Sequence, residues 1–169
     1  MTNKVTSFAP VADRSAQILI LGSMPGEKSL NAGQYYAHPR NGFWKIMGQI
    51  LSFDPDIAYD VRLAALVRAD IALWDVMHTC VRKGSLDAAI EARSIIANDF
   101  QAFFRAHPFI TRVCFNGATA ERCYQTHVMP VLPPSATQYL RLPSTSPAHA
   151  SLSLEAKAMA WRAAIDTQS

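Results

Sequence analysis

The feature that most constrains the fold is a short, unbroken apolar run near the start of the chain. Residues Gln17–Leu21 read QILIL, and Gly22 follows directly. A run without polar alternation is typical of a strand that is buried on both faces. Such strands belong mainly to parallel sheets that lie between two layers of helices. The run therefore predicts a sheet of this kind rather than one with a solvated face.

The rest of the chain alternates strand-like and helix-like segments, with no internal repeat. Further strands are predicted at Ile71–Val76, Thr111–Phe115 and Gln138–Leu142. Helices are predicted at Phe43–Leu51, at Asp60–Ala69, at Ala118–His127, from Asn98 or Asp99 to His107, and after the N-cap Ser153. This alternation predicts an α/β fold: a three-layer α-β-α sandwich around a central four-stranded, mostly parallel sheet. The 169 residues fit a single domain over positions 1–169.

The carboxyl ends of the predicted strands locate the functional loops. Ligands of open parallel sheets bind beyond this edge of the sheet. Loops that carry function should therefore follow Leu21, Val76, Phe115 and Leu142. Three of these four loops carry unusual residues.

Composition and charge narrow the function classes. The net charge of +3 and the isoelectric point near 8.9 suit a polyanionic partner, but many proteins without one are as basic. Positions 1–10 hold no apolar core of a secretion signal, and no segment approaches the ~20 apolar residues of a membrane span. We therefore expect a cytoplasmic monomer with no membrane partner.

Cysteine and histidine positions give no metal or cofactor signature. Cys80, Cys114 and Cys123 are widely spaced without a CxxC pair, and the five histidines are scattered. This pattern indicates no disulfide framework, zinc site or iron–sulfur cluster. We expect reduced, mostly buried thiols, no metal and no cofactor.

The loop after the first strand has the most distinctive composition. Positions 22–26 read GSMPG, and positions 35–44 read YYAHPRNGFW. Gly22 and Gly26 lack side chains, so backbone N–H groups can face an anion or a base edge. The loop has neither the GxxxxGK(S/T) pattern of a P-loop nor the GxGxxG pattern of a dinucleotide fold. By spacing alone, a structural turn followed by a helix start is an equally good interpretation.

Together these stretches resemble motif 1 of the uracil-DNA glycosylase superfamily, in which mismatch-type enzymes carry GINPG followed by HPxNxFW. The chain is most similar to the hypoxanthine (deoxyinosine) glycosylase branch, which it also resembles at ALWDV (72–76), GSLD (84–87), NDF (98–100), FNG (115–117) and STSPAH (144–149). The resemblance spans nearly the whole chain. It implies a uracil-DNA glycosylase-like fold, DNA containing a deaminated base as the partner, and hydrolysis of the N-glycosidic bond after base flipping.

Asn41 is the catalytic residue that the resemblance implies. Met24 stands where GINPG proteins have the asparagine that positions the attacking water, and a methionine side chain cannot do this. In the hypoxanthine branch the asparagine of the HPxN segment takes over, which here is Asn41. An amide orients water but is a poor base, which suits an oxocarbenium-like transition state. Asn41 can also be the N-cap of the helix that begins at Phe43.

The resemblance also implies a base pocket. Phe43 matches the aromatic residue that stacks on the flipped base, and Asn116 matches a position where a carboxamide can read a base edge. Each has a structural alternative: Phe43 as a core aromatic, and Asn116 as the first residue of an Asn-Gly turn. The other base-binding residues of the matched motif are Ser23, Met24 and Tyr36.

The loop after the last predicted strand is the expected DNA contact. It matches the HPSPxx loop that enters the minor groove, and its hydroxyls and backbone amides suit phosphates. Leu142 or Ser144, depending on the alignment, replaces the histidine of that motif, which argues against uracil as the main leaving base. A serine- and proline-rich surface turn is the alternative. The predicted DNA-binding residues are Gly26, Ser144, Thr145, Ser146, Pro147, Ala148 and His149.

The leading hypothesis is a monofunctional glycosylase that removes hypoxanthine, with uracil or xanthine as side substrates. Asp75 can act as a general base, but the resemblance implies a structural role for the ALWDV segment. The lysines are expected to be solvated or near phosphates rather than Schiff-base nucleophiles. The alternatives are a uracil-preferring glycosylase, a non-catalytic binder of damaged nucleic acid, and a hydrolase of free nucleosides or nucleotides.

Overall fold

The computed structural model describes residues 3–166, in which the main sheet has four strands in the spatial order Ile71–Asp75, Ile18–Gly22, Arg112–Asn116 and Gln138–Leu142. Its strands are β2 (Ile18–Gly22), β3 (Ile71–Asp75), β6 (Arg112–Asn116) and β7 (Gln138–Leu142). Each pair of neighbouring strands is parallel. The predicted α/β fold with a central four-stranded parallel sheet is confirmed. The end positions of the predicted domain, 1–2 and 167–169, lie outside the described residues.

Helices cover both faces of this sheet. They are α1 (Glu27–Ala32), α2 (Phe43–Leu51), α3 (Tyr59–Arg68), α4 (Phe100–Ala106), α5 (Ala118–His127) and α6 (Leu154–Ile165). Successive side chains of a strand point to opposite faces. Leu19 and Leu21 therefore share one buried cluster with residues of α4 and α5. Ile18 and Ile20 share the other with residues of α2, α3 and α6, which explains why the run in β2 is apolar without interruption.

A second, antiparallel sheet and a short helix are differences from the sequence-based prediction. The second sheet has the order β1-β4-β5, from β1 (Lys4–Thr6), β4 (Met77–Val81) and β5 (Ile96–Ala97). The sequence predicted neither this sheet nor the helix α1. Strands of two to five residues are too short to show a period of their own, and pairing with neighbours decides whether they form.

Capping residues fix the helix starts near where the sequence placed them. The Asp99 side chain accepts a hydrogen bond from Ala102 N at 3.1 Å, so Asp99 rather than Asn98 is the N-cap of α4. The Asn98 amide donates instead to the carbonyl oxygens of Asp75 and Met77. Ser153 caps α6 as predicted, and its hydroxyl oxygen accepts from Ala156 N.

The strand register brings the ends of four strands to one edge of the sheet. Gly22 pairs with Asp75, and Asn116 pairs with Leu142. The residues that follow each strand therefore begin at the same level. Within residues 3–166, no helix combines the length and the apolar character needed to cross a membrane.

Candidate active site

A cavity of about 700 Å³ lies at the carboxyl edge of the main sheet. The loops that follow β2, β6 and β7 line it, together with Asp75 at the end of β3 and the segment at positions 85–88. The loops that the sequence marked as functional therefore meet in one place, because parallel strands deliver their carboxyl ends to a common edge.

Gly22 leaves room for two polar side chains on the floor of the cavity. A Cβ atom at this position would lie 2.5 Å from Asp75 Oδ1 and 2.9 Å from Tyr36 Oη. Any side chain here would therefore displace one of these oxygens. The bare backbone at the end of β2 lets the carboxyl group of Asp75 and the hydroxyl group of Tyr36 converge.

Tyr36, rather than Phe43, forms the aromatic wall of the cavity. The two rings are stacked, with centroids 4.1 Å apart and planes 25° apart. Phe43 is completely buried and is not among the residues that line the cavity, whereas Tyr36 is. The structure thus gives Phe43 the core position that was its alternative interpretation, with Tyr36 between it and the cavity.

The backbone around Tyr36 holds this ring in place. Tyr36 itself has a positive φ of 55°, a conformation that costs free energy for a residue with a bulky side chain. On one side, Tyr35 O accepts a hydrogen bond from Trp44 Nε1 at 2.8 Å. On the other, Ala37 N donates to Ser29 Oγ at 3.0 Å. These bonds to α1 and α2 fix the strained residue from both sides.

Asn41 lines the same cavity, directly before α2. Its Oδ1 accepts a hydrogen bond from Phe43 N at 3.0 Å, which determines which end of the amide is oxygen. The Asn41 Nδ2 group has no hydrogen-bond partner among the described residues. The side chain therefore supports the start of α2 and still presents two N–H donors and one lone pair of Oδ1. The N-cap of α2 is Gly42 rather than Asn41, so the capping alternative is wrong as stated, and the catalytic role of Asn41 stays a prediction.

Asn116 fastens the loop after β7. Its Nδ2 donates to Thr145 Oγ1 and its Oδ1 accepts from Thr145 N, both at 2.9 Å. Thr145 is 2% exposed, so its predicted contact with DNA is replaced by this internal contact. Asn116 also lines the cavity, but each end of its amide already has one partner. Gly117 follows with a φ of 94°, close to Ser144, where a side chain would be strained.

Hydrogen bonds also hold the rest of this loop in place. Trp161 Nε1 donates to Pro143 O at 2.9 Å, and the buried Lys157 donates through Nζ to His149 O at 2.6 Å. Ser144 Oγ and Ser146 Oγ accept hydrogen bonds from backbone N–H groups two residues further on. Both hydroxyl groups keep their own hydrogen for donation. Pro147, Ala148 and His149 are exposed at the mouth of the cavity.

Comparison with known proteins now identifies the family. The sequence model described as "Uracil DNA glycosylase superfamily" matches residues 9–165. The chain belongs to this superfamily. It is 43% identical to a protein named hypoxanthine DNA glycosylase from Methanosarcina barkeri. The alignment spans 115 residues, which are 68% of this chain and 72% of that protein.

Two further matches come from Methanosarcina acetivorans, a curated relative and a solved structure. One is also named hypoxanthine DNA glycosylase; it is 36% identical over 132 residues, which are 73% of this chain and 82% of that protein. The other is a solution NMR structure of a candidate uracil DNA glycosylase. It superposes with a TM-score of 0.80 at 34% identity and covers 96% of both chains.

The motif-1 segment of this superfamily member places its remaining predicted residues on the cavity wall. Met24 is 7% exposed and packs in the buried cluster while lining the cavity. Ser23 donates through Oγ to Asp87 Oδ1 at 2.7 Å. Gly26 precedes α1, and the next backbone N–H, of Glu27, donates to Ser85 Oγ at 2.9 Å. The segment at positions 85–88 is therefore linked to motif 1.

Burial sets the charge state of the cavity floor. The carboxyl group of Asp75 is 4% exposed, and burial raises its pKa to about 7. The negative charge of Asp87 acts in the same direction, and the positive charge of Arg82 acts against both. Burial also raises the pKa values of Tyr35 and Tyr36, so both hydroxyl groups keep their protons at neutral pH.

Sequence reasoning missed or undervalued three polar residues of this site. His38 lines the cavity, and its Nδ1 accepts from Arg40 N at 3.1 Å. Asp87 lines the cavity, where its Oδ1 accepts a hydrogen bond from Ser23 Oγ. Asp75 was given a structural role, but it lies on the floor. The position of Asp75 at a strand end was the available signal; for Asp87 the sequence offered only the GSLD resemblance.

The described residues offer no metal site. Among residues 3–166, no three histidine, cysteine or acidic side chains lie close enough together to hold a metal ion. Cys80, Cys114 and Cys123 are buried free thiols, and burial raises the pKa of each. The cavity therefore offers amide, hydroxyl, carboxyl and aromatic groups for chemistry.

Proposed function

We propose that this chain is a monofunctional DNA glycosylase that hydrolyses the N-glycosidic bond of hypoxanthine in DNA. The observation that carries the proposal is the exchange within motif 1. Met24 occupies the position of the water-binding asparagine, while the Asn41 amide lies on the wall of the same cavity with unused donors. The two relatives named hypoxanthine DNA glycosylase support hypoxanthine as the base.

Tyr36 is the proposed stacking surface for the flipped base. Its ring lines the cavity and rests against the buried ring of Phe43, so a base that stacks on it meets a supported surface. Stacking on an aromatic side chain contributes ~1–3 kcal/mol per base and discriminates little among bases. It therefore holds the base while other groups select it.

Asn41 is the proposed positioning group for the attacking water. The water oxygen forms a bond to C1′, the C1′–N9 bond breaks, and its electron pair leaves with the base, which takes up a proton. Because the transition state resembles an oxocarbenium ion, the water needs orientation more than deprotonation. The fixed amide supplies that orientation, since its bond to Phe43 N prevents rotation.

The rim of the cavity suits a polymer rather than a free nucleoside. Lys28 and Arg40 line the cavity and carry positive charge, which favours contact with phosphates. Ser144 and Ser146 offer hydroxyl hydrogens from a loop that is already folded. A prefolded loop loses little conformational entropy when it meets DNA.

A lesion panel tests the proposal. Duplexes with a single hypoxanthine, uracil or xanthine are incubated with the protein, and abasic sites are cleaved with alkali. We expect strand cleavage at hypoxanthine, with weaker cleavage at uracil and xanthine, and none before alkali treatment. A protein that cuts uracil fastest would be uracil-preferring, and one that binds lesions without cutting would be a binder. Rapid cleavage of free deoxyinosine would indicate a nucleoside hydrolase.

Borohydride trapping tests the monofunctional mechanism. A bifunctional enzyme forms a Schiff base between a lysine and the sugar, which borohydride reduces to a stable adduct. We expect no adduct, because the ammonium group of Lys157 is occupied by His149 O and Lys28 lies at the solvated rim. A trapped adduct would contradict this part of the proposal.

Size-exclusion chromatography would test the predicted monomer.

A further inference from the structure

Leu86 is an exposed leucine at the mouth of the cavity that the proposed water attack does not use. Several large hydrophobic side chains are exposed among residues 3–166, and of these Leu86 alone lines the cavity. The residue is 60% exposed, so it lies at the mouth rather than on the floor. A single exposed leucine is ordinary on a protein surface. Beside a substrate cavity, however, it is placed to meet whatever approaches that cavity.

Hydrogen bonds to motif 1 hold the residues on both sides of Leu86. Ser85 Oγ accepts a hydrogen bond from Glu27 N at 2.9 Å, and Asp87 Oδ1 accepts one from Ser23 Oγ at 2.7 Å. The leucine is therefore presented by a segment whose neighbouring side chains are already engaged. A prearranged contact residue loses less conformational entropy on binding than one on a free loop.

Arg82 fixes the beginning of this segment. It is 2% exposed, and its Nε donates to Gly84 O while its Nη2 donates to Pro25 O, both at 2.7 Å. Gly84 has a φ of 79°, a conformation that glycine adopts readily and other residues rarely do. The buried guanidinium group thus joins the turn before Leu86 to the loop after β2.

The exposed tip of the opposite wall offers no comparable side chain. It consists of Pro147, Ala148 and His149. The methyl group of Ala148 is too small to fill the space of a base, and the proline ring is short and rigid. The imidazole of His149 is polar, with Nε2 3.4 Å from Ser151 Oγ. The large apolar side chain at the mouth therefore comes from the segment that holds Leu86, not from the loop after β7.

We propose that Leu86 enters the base stack of the duplex and occupies the space that the flipped nucleotide leaves. The inference rests on the proposed function. Extruding a nucleotide unstacks it from its neighbours and exposes their faces to water. An apolar side chain that covers these faces recovers part of the lost free energy and opposes the return of the nucleotide. Leucine is one of the side chains that proteins insert between base steps in this way.

The proposed role has a specific requirement. A side chain that replaces a base in the stack contributes only where the DNA around the lesion is stacked. A side chain that touches the flipped nucleotide itself contributes wherever the lesion is bound. The two roles therefore differ in whether the effect of a substitution depends on the structure of the DNA around the lesion.

The test compares two duplexes with the same hypoxanthine-containing strand. In one the lesion is paired, and in the other it lies in an unpaired bubble between duplex arms. We measure kcat/KM on both with the wild type, Leu86→Ala, Leu86→Gln, Leu86→Met and the control Phe109→Ala. Phe109 is 56% exposed, similar to Leu86, but precedes β6 at the opposite, amino edge of the sheet. Thermal unfolding establishes that each variant is folded.

We expect Leu86→Ala to lower kcat/KM on the paired lesion about 5- to 50-fold, because alanine keeps only one carbon atom of the buried side chain. Leu86→Gln keeps the length of the side chain but places an amide between bases, so it should lose a similar factor. Both variants should cleave the lesion in the bubble as fast as the wild type. Leu86→Met and Phe109→Ala should retain wild-type activity on both duplexes.

The outcomes separate the possible failures. If folded Leu86→Ala and Leu86→Gln kept full activity on the paired lesion, Leu86 would not enter the stack. An equal loss on the paired lesion and in the bubble would also overturn the proposal, because it would place Leu86 against the flipped nucleotide. So would wild-type cleavage of the paired lesion alone, since the bubble needs no insertion. Absence of wild-type cleavage in both duplexes would instead overturn the proposed function.

Discussion

The two walls of the cavity use their hydrogen-bonding groups differently. On the fastened wall, formed by residues 143–149, loop atoms are paired with Asn116, Trp161 and Lys157. On the open wall, formed by Tyr36, Asn41 and Asp75, each side chain has a polar atom without a partner in the described part of the chain. The comparison teaches that hydrogen bonds hold the frame on one wall, whereas polar atoms stay unpaired on the other, where we propose that the substrate binds.

The largest expected effect comes from the open wall. Asn41→Ala should lower kcat on hypoxanthine-containing DNA by about 10²–10³, the range for removing one oriented polar group from an active site. Its effect on stability should be small, about 0.5–1 kcal/mol, because only one hydrogen bond at the start of α2 is lost. Single-turnover kinetics and thermal unfolding measure both quantities.

The control for Asn41 is Asn31→Ala, on the exposed surface of α1 and away from the cavity. It should retain wild-type kcat. If Asn41→Ala were fully active, the water would have another positioning group and the open wall would lose its central residue.

A smaller effect is expected at Tyr36. Tyr36→Leu should reduce kcat/KM about 5- to 150-fold, which corresponds to the ~1–3 kcal/mol of one stacking interaction. Tyr36→Phe is the matched variant, because it keeps the ring that stacks on Phe43 and removes a hydroxyl group whose oxygen lacks a partner among residues 3–166. It should be at least as stable as wild type. If Tyr36→Leu were as active as the wild type, Tyr36 would not be the stacking residue, and Phe43 would be the candidate for that role.

The fastened wall should respond mainly in stability. Asn116→Ala removes both hydrogen bonds to Thr145, and at about 1 kcal/mol each we expect a loss of about 2 kcal/mol in the free energy of unfolding. Urea unfolding measures this loss. A variant that keeps its stability but loses all activity would show that Asn116 reads the base, as the sequence suggested, rather than holding the loop.

The smallest effect is expected at Lys157. Lys157→Met keeps the apolar stem but removes the hydrogen bond to His149 O, which should lower stability by about 1 kcal/mol, the usual net contribution of one hydrogen bond. DNA affinity should weaken a few-fold as the end of the loop loosens. Fluorescence anisotropy with labelled duplex, compared with Lys45→Met on the exposed face of α2, detects the difference.

The elements that the sequence located best are those whose local pattern agrees with their environment. Phe43–Leu51, Ala118–His127 and Gln138–Leu142 were predicted with the bounds that the structure has. In contrast, β1, β4 and β5 were missed, because pairing between distant segments creates them. Lys4 pairs with Val81, for example, and a local pattern of three residues cannot predict so distant a partner.

The sequence also located the cavity but not the roles within it. Asn41, Asn116 and Tyr36 were all expected at the site, and all line the cavity. The sequence did not show which of the two asparagine amides keeps unpaired hydrogen-bonding groups, because the partner of Asn116 is Thr145, 29 positions away. Likewise, Tyr36 precedes Phe43 by seven residues, and only the folded segment stacks one ring on the other.

The sequence by itself determined the parallel sheet, its helical layers, the N-cap of α6 and the loops that meet at one edge. These follow from apolar periodicity and short-range hydrogen bonding, which depend on neighbouring residues. Only the tertiary structure decided that Gly22 makes room for Asp75, that Tyr36 covers Phe43, and that the fastened wall and the open wall differ. Those outcomes depend on which polar groups meet after distant loops pack, and local sequence carries no information about atoms that approach only in the folded chain.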